Sequence, residues 1–342
     1  MTTVLCTLYN SLYLDKGLVL YDSLCECARD FKLYVLCMDE KCYEVLTDLH
    51  QEHHIPVRLA DFEDGDDALL EAKRNRSMGE YCWTCSSSLI RYVLKHYNEP
   101  VCTYIDADMY FYNDPQVLVD GMLEAGKSVM VVPHRFPKER MKQAKTVGKY
   151  CVEFNTFLNS PDSLEVLGYW RDRCLECCSN LGDGIHWGDQ KYLEELVNKF
   201  GCVCECKNPG AGLAPWNISL YRKVGDEVIY KPTEEPFKVV FYHYQGVTYI
   251  SRYEVSTAVR VRKKNIDYAL VDSLYNNYLR RIDAKKQYLA KEAGVDVLIK
   301  DHPSNKQAKG LRKLFHKTLT YKALLWLIQQ KNGGHPYVIS IE

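Results

Sequence analysis

The feature that most constrains the fold is a regular alternation of short apolar segments with amphipathic segments over residues 3–132. The apolar segments have the length of buried strands, and the segments between them carry helical periodicity. This alternation predicts an α/β protein with a mostly parallel sheet covered by helices on both faces. Neither a Gly-rich dinucleotide fingerprint nor a Walker loop is present. The predicted strands are 3–8, 33–38, 55–59, 101–105 and 128–132, and the predicted helices are 12–27, 40–50, 83–96 and 115–125.

Two carboxylates stand directly after the fourth predicted strand. The apolar run 101–105 leads into Asp106 and Asp108, and Tyr110 and Phe111 follow. In an extended backbone the two side chains would point to opposite faces, but where the chain turns both can converge on one ion. Carboxylate oxygens suit Mg²⁺ or Mn²⁺ with open positions for substrate phosphates. The pattern predicts a metal-diphosphate site at the ligand-binding edge of the sheet, and a solvated turn is the alternative.

Composition places the chain among ordinary globular proteins. It has 342 residues, 46% of them hydrophobic and 26% charged, which is enough for a substantial core. The net charge of −1 gives no indication of nucleic-acid binding. Because no apolar run is long enough to span a bilayer and no signal peptide precedes the first strand, the expected location is the cytoplasm.

The fifteen cysteines form an odd number without an export signal. This favours reduced thiols that pack as small core residues. Two C-x-x-C pairs, Cys82 with Cys85 and Cys174 with Cys177, leave a structural zinc site as the less favoured alternative. The alternating cysteines of 202–206 fit one face of a strand.

The second half of the chain has a less regular pattern. Its predicted elements are strands at 153–158 and 239–246, helices at 163–178 and 191–200, and a loop rich in Gly and Pro at 207–217.

Residues 263–342 are predicted to form a helical, basic extension after a main domain of residues 1–262. Six basic side chains and no acidic one fall within 306–322, interleaved with leucine and phenylalanine. A basic amphipathic helix can lie on an anionic membrane surface, so peripheral contact with the inner face of the membrane through 306–325 is one interpretation. A helix docked on the protein body with its basic face in water is the other, slightly favoured one.

Four motifs in a fixed order resemble the GT-A-fold glycosyltransferases, which use nucleotide-sugar donors. The resemblance is to the bacterial enzymes related to family 8, the glycogenin and lipopolysaccharide galactosyltransferase type. It spans residues 1–250 and implies a GT-A nucleotide-diphospho-sugar transferase fold. The motifs are Tyr-Ile-Asp-Ala-Asp at 104–108, Phe-Asn at 154–155, Gly-Asp-Gln at 188–190, and Phe-Tyr-His at 241–243 with Gly246.

The chain departs from the family at two places. Thr156 and Phe157 stand where a small residue followed by Gly is usual. The strand that carries His243 lacks the Lys-Pro-Trp ending familiar in family 8, which would place the phosphate contacts elsewhere.

The resemblance implies a metal site and a donor site. Asp106, Asp108 and His243 are the candidate ligands of a divalent metal, and facing the ribose is the other role open to Asp106. The imidazole favours Mn²⁺ over Mg²⁺. A core histidine bonded to backbone is the alternative for His243. The remaining donor-site candidates are Thr7, Leu8 and Tyr9 on the nucleotide base, Asn155 on sugar hydroxyls, and Ala107 and Gly246. Arg91 would contact phosphate or brace the donor carboxylates, and a plain surface arginine is the alternative.

Asp189 and Gln190 would be the catalytic residues by the same resemblance. Asp189 would hold sugar hydroxyls, and Gln190 would sit near the anomeric carbon. An alternative role for Asp189 is the N-cap of the helix predicted at 191–200, which Asp fills well.

The implied activity is metal-dependent transfer of a hexosyl group from a nucleotide-diphosphate sugar to a glycan or lipid-linked sugar. No Asp or Glu nucleophile is apparent, so retention by same-face displacement is expected. Two other classes stay open. One is a nucleotide-sugar hydrolase, in which His186 or Asp183 would be the general base. The other is a non-catalytic subunit that binds a nucleotide or carbohydrate.

Overall fold

The computed structural model describes residues 2–179, 187–249, 254–260, 265–295 and 336–340. The strands in this part of the chain are β1 Thr3–Tyr9, β2 Phe31–Cys37, β3 His54–Arg58, β4 Val101–Ile105, β5 Met109–Phe111, β6 Val129–Pro133, β7 Tyr150–Leu158, β8 Val203–Glu205, β9 Tyr221–Val224, β10 Glu227–Tyr230, β11 Glu235–Phe237, β12 Phe241–His243, β13 Thr248–Tyr249, β14 Glu254–Arg260 and β15 Pro336–Ser340. The α-helices are α1 Leu14–Cys27, α2 Glu40–Asp48, α3 Leu59–Glu63, α4 Asp67–Asn75, α5 Met78–His96, α6 Gln116–Glu124, α7 Met141–Val147, α8 Pro161–Glu176, α9 Leu193–Lys199 and α10 Tyr268–Glu292, and short 3₁₀ helices occur at Ser11–Tyr13, Lys138–Arg140 and Ile218–Leu220.

A seven-stranded sheet in the order β3-β2-β1-β4-β7-β6-β8 forms the centre of the molecule. The pairs β3-β2, β2-β1, β1-β4 and β6-β8 are parallel. Strand β7 is antiparallel to both of its neighbours, β4 and β6, so it runs against the other six strands.

Helices cover both faces of this sheet. All seven residues of β1 and all five of β4 are buried. Because successive side chains of a strand point to opposite faces, this burial requires packing on each side. Helix α1 packs against α10, and α5 packs against α8 and on β1 and β4. The predicted α/β class with a mostly parallel, doubly covered sheet is confirmed.

The predicted elements occur with shifted boundaries. Helix α5 begins at Met78 rather than at residue 83, because Ser77 and Glu80 form a capping box at its start. Helix α9 begins at Leu193 rather than at residue 191. The strand predicted at 239–246 is limited to β12, after which Gly246 adopts a positive φ of 79°.

A two-stranded ribbon leaves the central sheet after the Asp pair. Strand β5 pairs antiparallel with β12, and Met109 lies opposite His243. The backbone N–H of Tyr244 donates to the carbonyl of Asp108 at 2.8 Å. This ribbon brings a histidine from residue 243 beside the carboxylates that follow β4.

Helix α10 holds the ribbon through a cluster of tyrosines. The ring of Tyr244 stacks on Tyr278 of α10 at 3.7 Å between centroids, and its hydroxyl group is 2.6 Å from that of Tyr112. Arg281 of α10 also makes two hydrogen bonds to Glu26 of α1, at 2.6 and 3.0 Å. The predicted extension thus begins with a helix that packs on the main body, and the domain boundary itself stays a prediction.

All fifteen cysteines are free thiols, and nine of them are buried, which is the arrangement expected of small core residues. None of the described helices is long and apolar enough to cross a membrane. The segment 306–325, for which membrane contact was one interpretation, lies outside the described residues.

Candidate active site

A large cavity opens at one edge of the central sheet. The carboxyl ends of β1 and β4 meet there because the two strands are parallel, and β7 enters at this edge because it runs the other way. The cavity has a volume of about 680 Å³, within the range typical of ligand sites. Among the residues that line it are Leu8, Tyr9, Trp83, Asp106, Ala107, Asp108, His134, Arg140, Gly188, Asp189, Gln190, Trp216 and His243.

Asp106, Asp108 and His243 form one cluster in the cavity wall. Nε2 of His243 lies 3.0 Å from a carboxylate oxygen of Asp108 and 3.6 Å from one of Asp106. One potential ligand atom from each of the three residues lies within 4.8 Å of the others. Two carboxylates and one imidazole fit Mn²⁺ or Mg²⁺ and would leave coordination positions for other ligands.

The charges in this cluster are strongly coupled. Burial by itself would raise the pKa of Asp108, but the charge of His243 and its hydrogen bond lower that pKa to about 2. Burial raises the pKa of Asp106 to about 6 against the opposing effect of His243. Burial disfavours the imidazolium form of His243, yet Asp108 and Glu153 hold its pKa well above the usual value. The metal-free cluster therefore contains a protonated His243, and a metal ion that binds Nε2 must displace a proton.

A second carboxylate lies behind the histidine. Oε2 of Glu153 is 2.7 Å from Nδ1 of His243, and Glu153 is fully buried. The sequence analysis did not single out Glu153. An acidic residue between Val152 and Phe154 was the available signal, because a buried charge in an apolar strand requires a partner.

Asp189 lies in a buried position on the other side of the cavity. Its side chain is 2.6 Å from the hydroxyl of Ser86 on α5, and its carbonyl accepts a hydrogen bond from the indole of Trp170 on α8. Burial raises the pKa of Asp189 to about 7. The N-cap interpretation is wrong, because α9 begins at Leu193 and the residue before it is Tyr192.

Gln190 and Gly188 flank Asp189 in the cavity wall. The side-chain Nε2 of Gln190 donates to the carbonyl of Val147 at 2.6 Å, which leaves its Oε1 available. Gly188 has a positive φ of 54°, and a Cβ there would lie 3.4 Å from the ring of Trp83. The backbone of the Gly-Asp-Gln motif is thus packed directly over an indole.

The end of β1 contributes to the cavity in part. Leu8 and Tyr9 line it, and Thr7 does not. The ring of Tyr9 packs against Gly17 of α1, where a Cβ would clash with it, and the phenol is 3.5 Å from His54. With its ring held in the core, Tyr9 offers a ligand mainly its backbone.

Three other predicted donor residues lie away from the cavity lining. Arg91 is exposed on α5, and Gly246 is exposed after β12. Asn155 is fully buried in β7, and within the described residues neither its Nδ2 nor its Oδ1 has a hydrogen-bond partner. The predicted site residues that line the cavity are Leu8, Tyr9, Asp106, Ala107, Asp108, Asp189, Gln190 and His243. The predicted site residues that do not line it are Thr7, Arg91, Asn155 and Gly246.

His134 and Trp216 are further cavity residues that the sequence analysis did not identify. The indole of Trp216 donates to the carbonyl of His134 at 2.9 Å, and its ring packs edge-on against His243 at 5.3 Å. Burial lowers the pKa of His134 to about 4, so this imidazole is neutral. The position of His134 directly after β6 was the available signal, since ligand sites lie at such strand ends.

The fold and this cluster define an α/β protein with a candidate metal centre at the edge of its sheet. The chain is 32% identical to YfnD of Bacillus subtilis (strain 168) over 278 residues, which cover 80% of this chain and 86% of YfnD. It is 29% identical to YfnF of the same organism over 301 residues, which cover 85% of this chain and 96% of YfnF. Both relatives are described as uncharacterized proteins. The chain belongs to the same protein family as YfnD.

Three solved structures with partial similarity to this chain are described as glycosyltransferases. Mouse xyloside xylosyltransferase 1 has a TM-score of 0.46 at 14% identity, covering 72% of this chain and 98% of its own. The galactosyltransferase LgtC, in complex with donor and acceptor sugar analogs, has a TM-score of 0.47 at 16% identity, and the similarity covers 71% of this chain and 87% of the LgtC chain. GlyE of Streptococcus pneumoniae TIGR4 has a TM-score of 0.47 at 12% identity, and the similarity covers 88% of this chain and 66% of the GlyE chain. No protein-family model matches the chain.

Proposed function

We propose that the protein is a metal-dependent glycosyltransferase that moves a hexosyl group from a nucleotide-diphosphate sugar to a glycan or lipid-linked sugar. The observation that carries the proposal is the cluster of Asp106, Asp108 and His243 in one cavity with Asp189 and Gln190. These residues are far apart in the sequence. The ordered motifs of the resemblance assign them to one site, and all five line the same cavity.

The donor would lie along the sheet edge. The base would contact the backbone of Leu8 and Tyr9, and the metal ligands would come from Asp106, Asp108 and His243. A bound divalent cation would stabilise the negative charge that develops on the diphosphate leaving group.

Arg140 is the cation that we assign to the phosphates in place of the missing Lys-Pro-Trp lysine. It lines the cavity. Within the described residues its side chain has no hydrogen bond or ion pair, and partial burial together with the nearby Arg260 lowers its pKa. A cationic side chain that faces a cavity and makes no hydrogen bond within the described residues is suited to an anionic ligand.

Asp189 and Gln190 would act on the sugar. The carboxylate of Asp189 can accept hydrogen bonds from sugar hydroxyls. The amide of Gln190 is oriented by the carbonyl of Val147, so its Oε1 can support the positive charge that builds at the anomeric carbon. We infer retention of configuration, with the acceptor approaching the same face that the diphosphate leaves.

Hydrolysis of a nucleotide-sugar is the competing activity, and its candidate bases, Asp183 and His186, lie outside the described residues. A turnover assay with Mn²⁺ and a panel of nucleotide-sugars separates the two. Transfer predicts nucleotide-diphosphate release that accelerates when an acceptor glycan is added, with a new glycosidic product. Release that is unaffected by any acceptor, with free sugar as the product, would favour hydrolysis, and no release from any donor would favour a binding subunit.

We expect a nucleoside diphosphate to raise the melting temperature when Mn²⁺ is present and not when EDTA replaces the metal. A ligand that binds the native state alone stabilises it by about 2.7 kcal/mol at 100 times its Kd. For a chain of this size that corresponds to roughly 4 °C. Thermal-shift measurements with each base identify the donor nucleotide. An equal shift in EDTA would show that the diphosphate does not bind through a metal.

A further inference from the structure

Glu153 contacts His243 and has no role in the proposed function. Its carboxylate is fully buried, and Oε2 lies 2.7 Å from Nδ1 of His243. The opposite ring nitrogen, Nε2, faces Asp106 and Asp108. The imidazole is therefore held between a carboxylate behind it and the candidate metal ligands in front.

We propose that Glu153 is a positioning residue that orients His243 for metal binding by accepting the Nδ1 proton. The inference rests on the proposed metal site. A histidine that binds a metal through Nε2 must keep its remaining proton on Nδ1, and an acceptor at Nδ1 fixes both this tautomer and the plane of the ring. The carboxylate also increases the basicity of Nε2, which strengthens its bond to a cation.

The fold sets this contact through the direction of β7. Because β7 is antiparallel to β4, Phe154 pairs with Ile105, and Glu153 lies beside the turn that carries Asp106. The carbonyl of Glu153 accepts a hydrogen bond from the N–H of Asp106 at 3.4 Å. One residue thus contacts two of the three candidate ligands, His243 through its side chain and Asp106 through its backbone.

Glu153 is poorly explained as a purely structural residue. A buried carboxylate is costly to desolvate, and an apolar side chain of similar volume is often at least as stabilising. Its second oxygen, Oε1, has no hydrogen-bond partner within the described residues. The glycine at position 212 leaves room for this oxygen, since a Cβ there would lie 3.0 Å from it. A carboxyl group that is buried despite this desolvation cost fits a functional role for Glu153.

A metal site on the Nδ1 side of His243 is the competing arrangement, because Cys151, Glu153 and His243 also have ligand atoms near one another. A cysteine thiolate is a soft ligand, which suits Zn²⁺ or Cu⁺ better than Mn²⁺ or Mg²⁺. The Asp106 and Asp108 side of the ring is the better site for a hard cation.

The test measures Mn²⁺ affinity in the full chain by the loss of the free-ion EPR signal, together with the melting temperature in EDTA. The variants are Glu153→Leu, which removes the acceptor, and Glu153→Gln, which keeps an acceptor oxygen and removes the charge. Glu99→Gln is the matched control, because Glu99 is also buried and bonded, to Tyr34 and Lys32, but precedes β4 at the other end of the sheet. Losing the partner behind a metal-bound histidine typically costs about 10- to 100-fold in affinity.

We expect Glu153→Leu to weaken Mn²⁺ binding by about 10- to 100-fold, Glu153→Gln to weaken it less, and Glu99→Gln to leave it unchanged. The melting temperature of Glu153→Leu in EDTA should not fall in proportion. Unchanged affinity in a folded Glu153→Leu or Glu153→Gln protein would overturn the proposal, and if the leucine variant does not fold, the glutamine variant decides. Wild-type protein that binds no Mn²⁺ would instead refute the metal site of the proposed function.

Discussion

Replacing Asp108 with asparagine is expected to lower Mn²⁺ affinity by more than about 100-fold, beyond the typical cost of losing a partner behind a ligand, and to reduce sugar transfer to background. The neutral amide is a poorer ligand than a carboxylate for a hard cation. Asp108 also lies 3.0 Å from Nε2 of His243 and is the carboxylate that most favours its protonated form. The substitution therefore removes one ligand, and we expect this loss to outweigh the easier release of the proton from Nε2 of His243.

The measurements for this variant are Mn²⁺ titration by EPR and product formation with the donor that the thermal-shift screen identifies. Asp162→Asn is the matched control, because Asp162 accepts hydrogen bonds from Ser128 and Ser160 at the start of α8 and does not line the cavity. It should retain wild-type affinity and turnover. A folded Asp108→Asn protein with near-wild-type transfer would exclude Asp108 from the metal site.

The parts of the site that could be predicted from the sequence depend on local patterns. The apolar run of β4 ends at Asp106, and a carboxylate pair at a strand end is visible without any knowledge of the tertiary structure. Leu8 and Tyr9 also stand at a strand end, that of β1, but they were assigned through the family resemblance. The place of His243 could not be derived in this way, because it depends on the pairing of β5 with β12 across 130 residues of chain. It was found through the ordered motifs of a resemblance.

The direction of β7 explains why Glu153 was missed. A run of apolar residues predicts a strand, but it does not tell whether that strand runs with its neighbours or against them. In a fully parallel sheet, Glu153 would start its strand at the edge opposite the cavity. The antiparallel pairing with β4 places it beside Asp106 instead.

Arg91 illustrates how helical periodicity separates two interpretations that the sequence left open, a donor contact and a surface arginine. Leu89, Ile90, Val93 and Leu94 are buried on α5. Residue 91 lies about 100° from residue 90 around the helix, outside the stripe that these four positions define. Helical periodicity alone therefore predicts an exposed Arg91, as the structure shows.

Substitution of Asp189 is the second change for which we expect a large effect, on both stability and transfer. The argument starts from the hydroxyl group of Ser86, which contacts the Asp189 carboxyl group. The hydroxyl of Ser86 lies 2.6 Å from Oδ2 of Asp189 and 2.8 Å from the carbonyl of Trp83. A hydroxyl has one hydrogen and can donate it to one of these two oxygens. If Asp189 is protonated, its own O–H can donate to Ser86, and Ser86 can donate to Trp83. A neutral Asp189 therefore allows both contacts of the Ser86 hydroxyl to be hydrogen bonds, in agreement with burial raising the pKa of Asp189 to about 7.

The raised pKa makes the metal-free protein less stable as the pH rises. The ordinary pKa of an Asp side chain is 3.8, and burial raises that of Asp189 to about 7 in the folded state. Between these values the folded state holds a proton that the unfolded state has lost, so the free energy of unfolding falls as pH increases. The stability present below pH 4 is lost by pH 7, on the order of a few kcal/mol for this shift.

Asp189→Asn is therefore expected to stabilise the metal-free protein at pH 8 and to leave its stability near wild type at pH 4. The amide can donate to Ser86 as the protonated acid does, and it cannot ionise. Transfer at pH 8, where Asp189 is ionised, should fall by about 10- to 150-fold, because a hydrogen bond from a sugar hydroxyl to a charged acceptor contributes about 1.5–3 kcal/mol. Urea unfolding in EDTA at pH 4, 6 and 8 and initial transfer rates with Mn²⁺ measure the two effects on the same protein. A variant that is destabilised equally at every pH would show that Asp189 is a structural residue, and a stabilised variant with full activity would show that its charge plays no part in transfer.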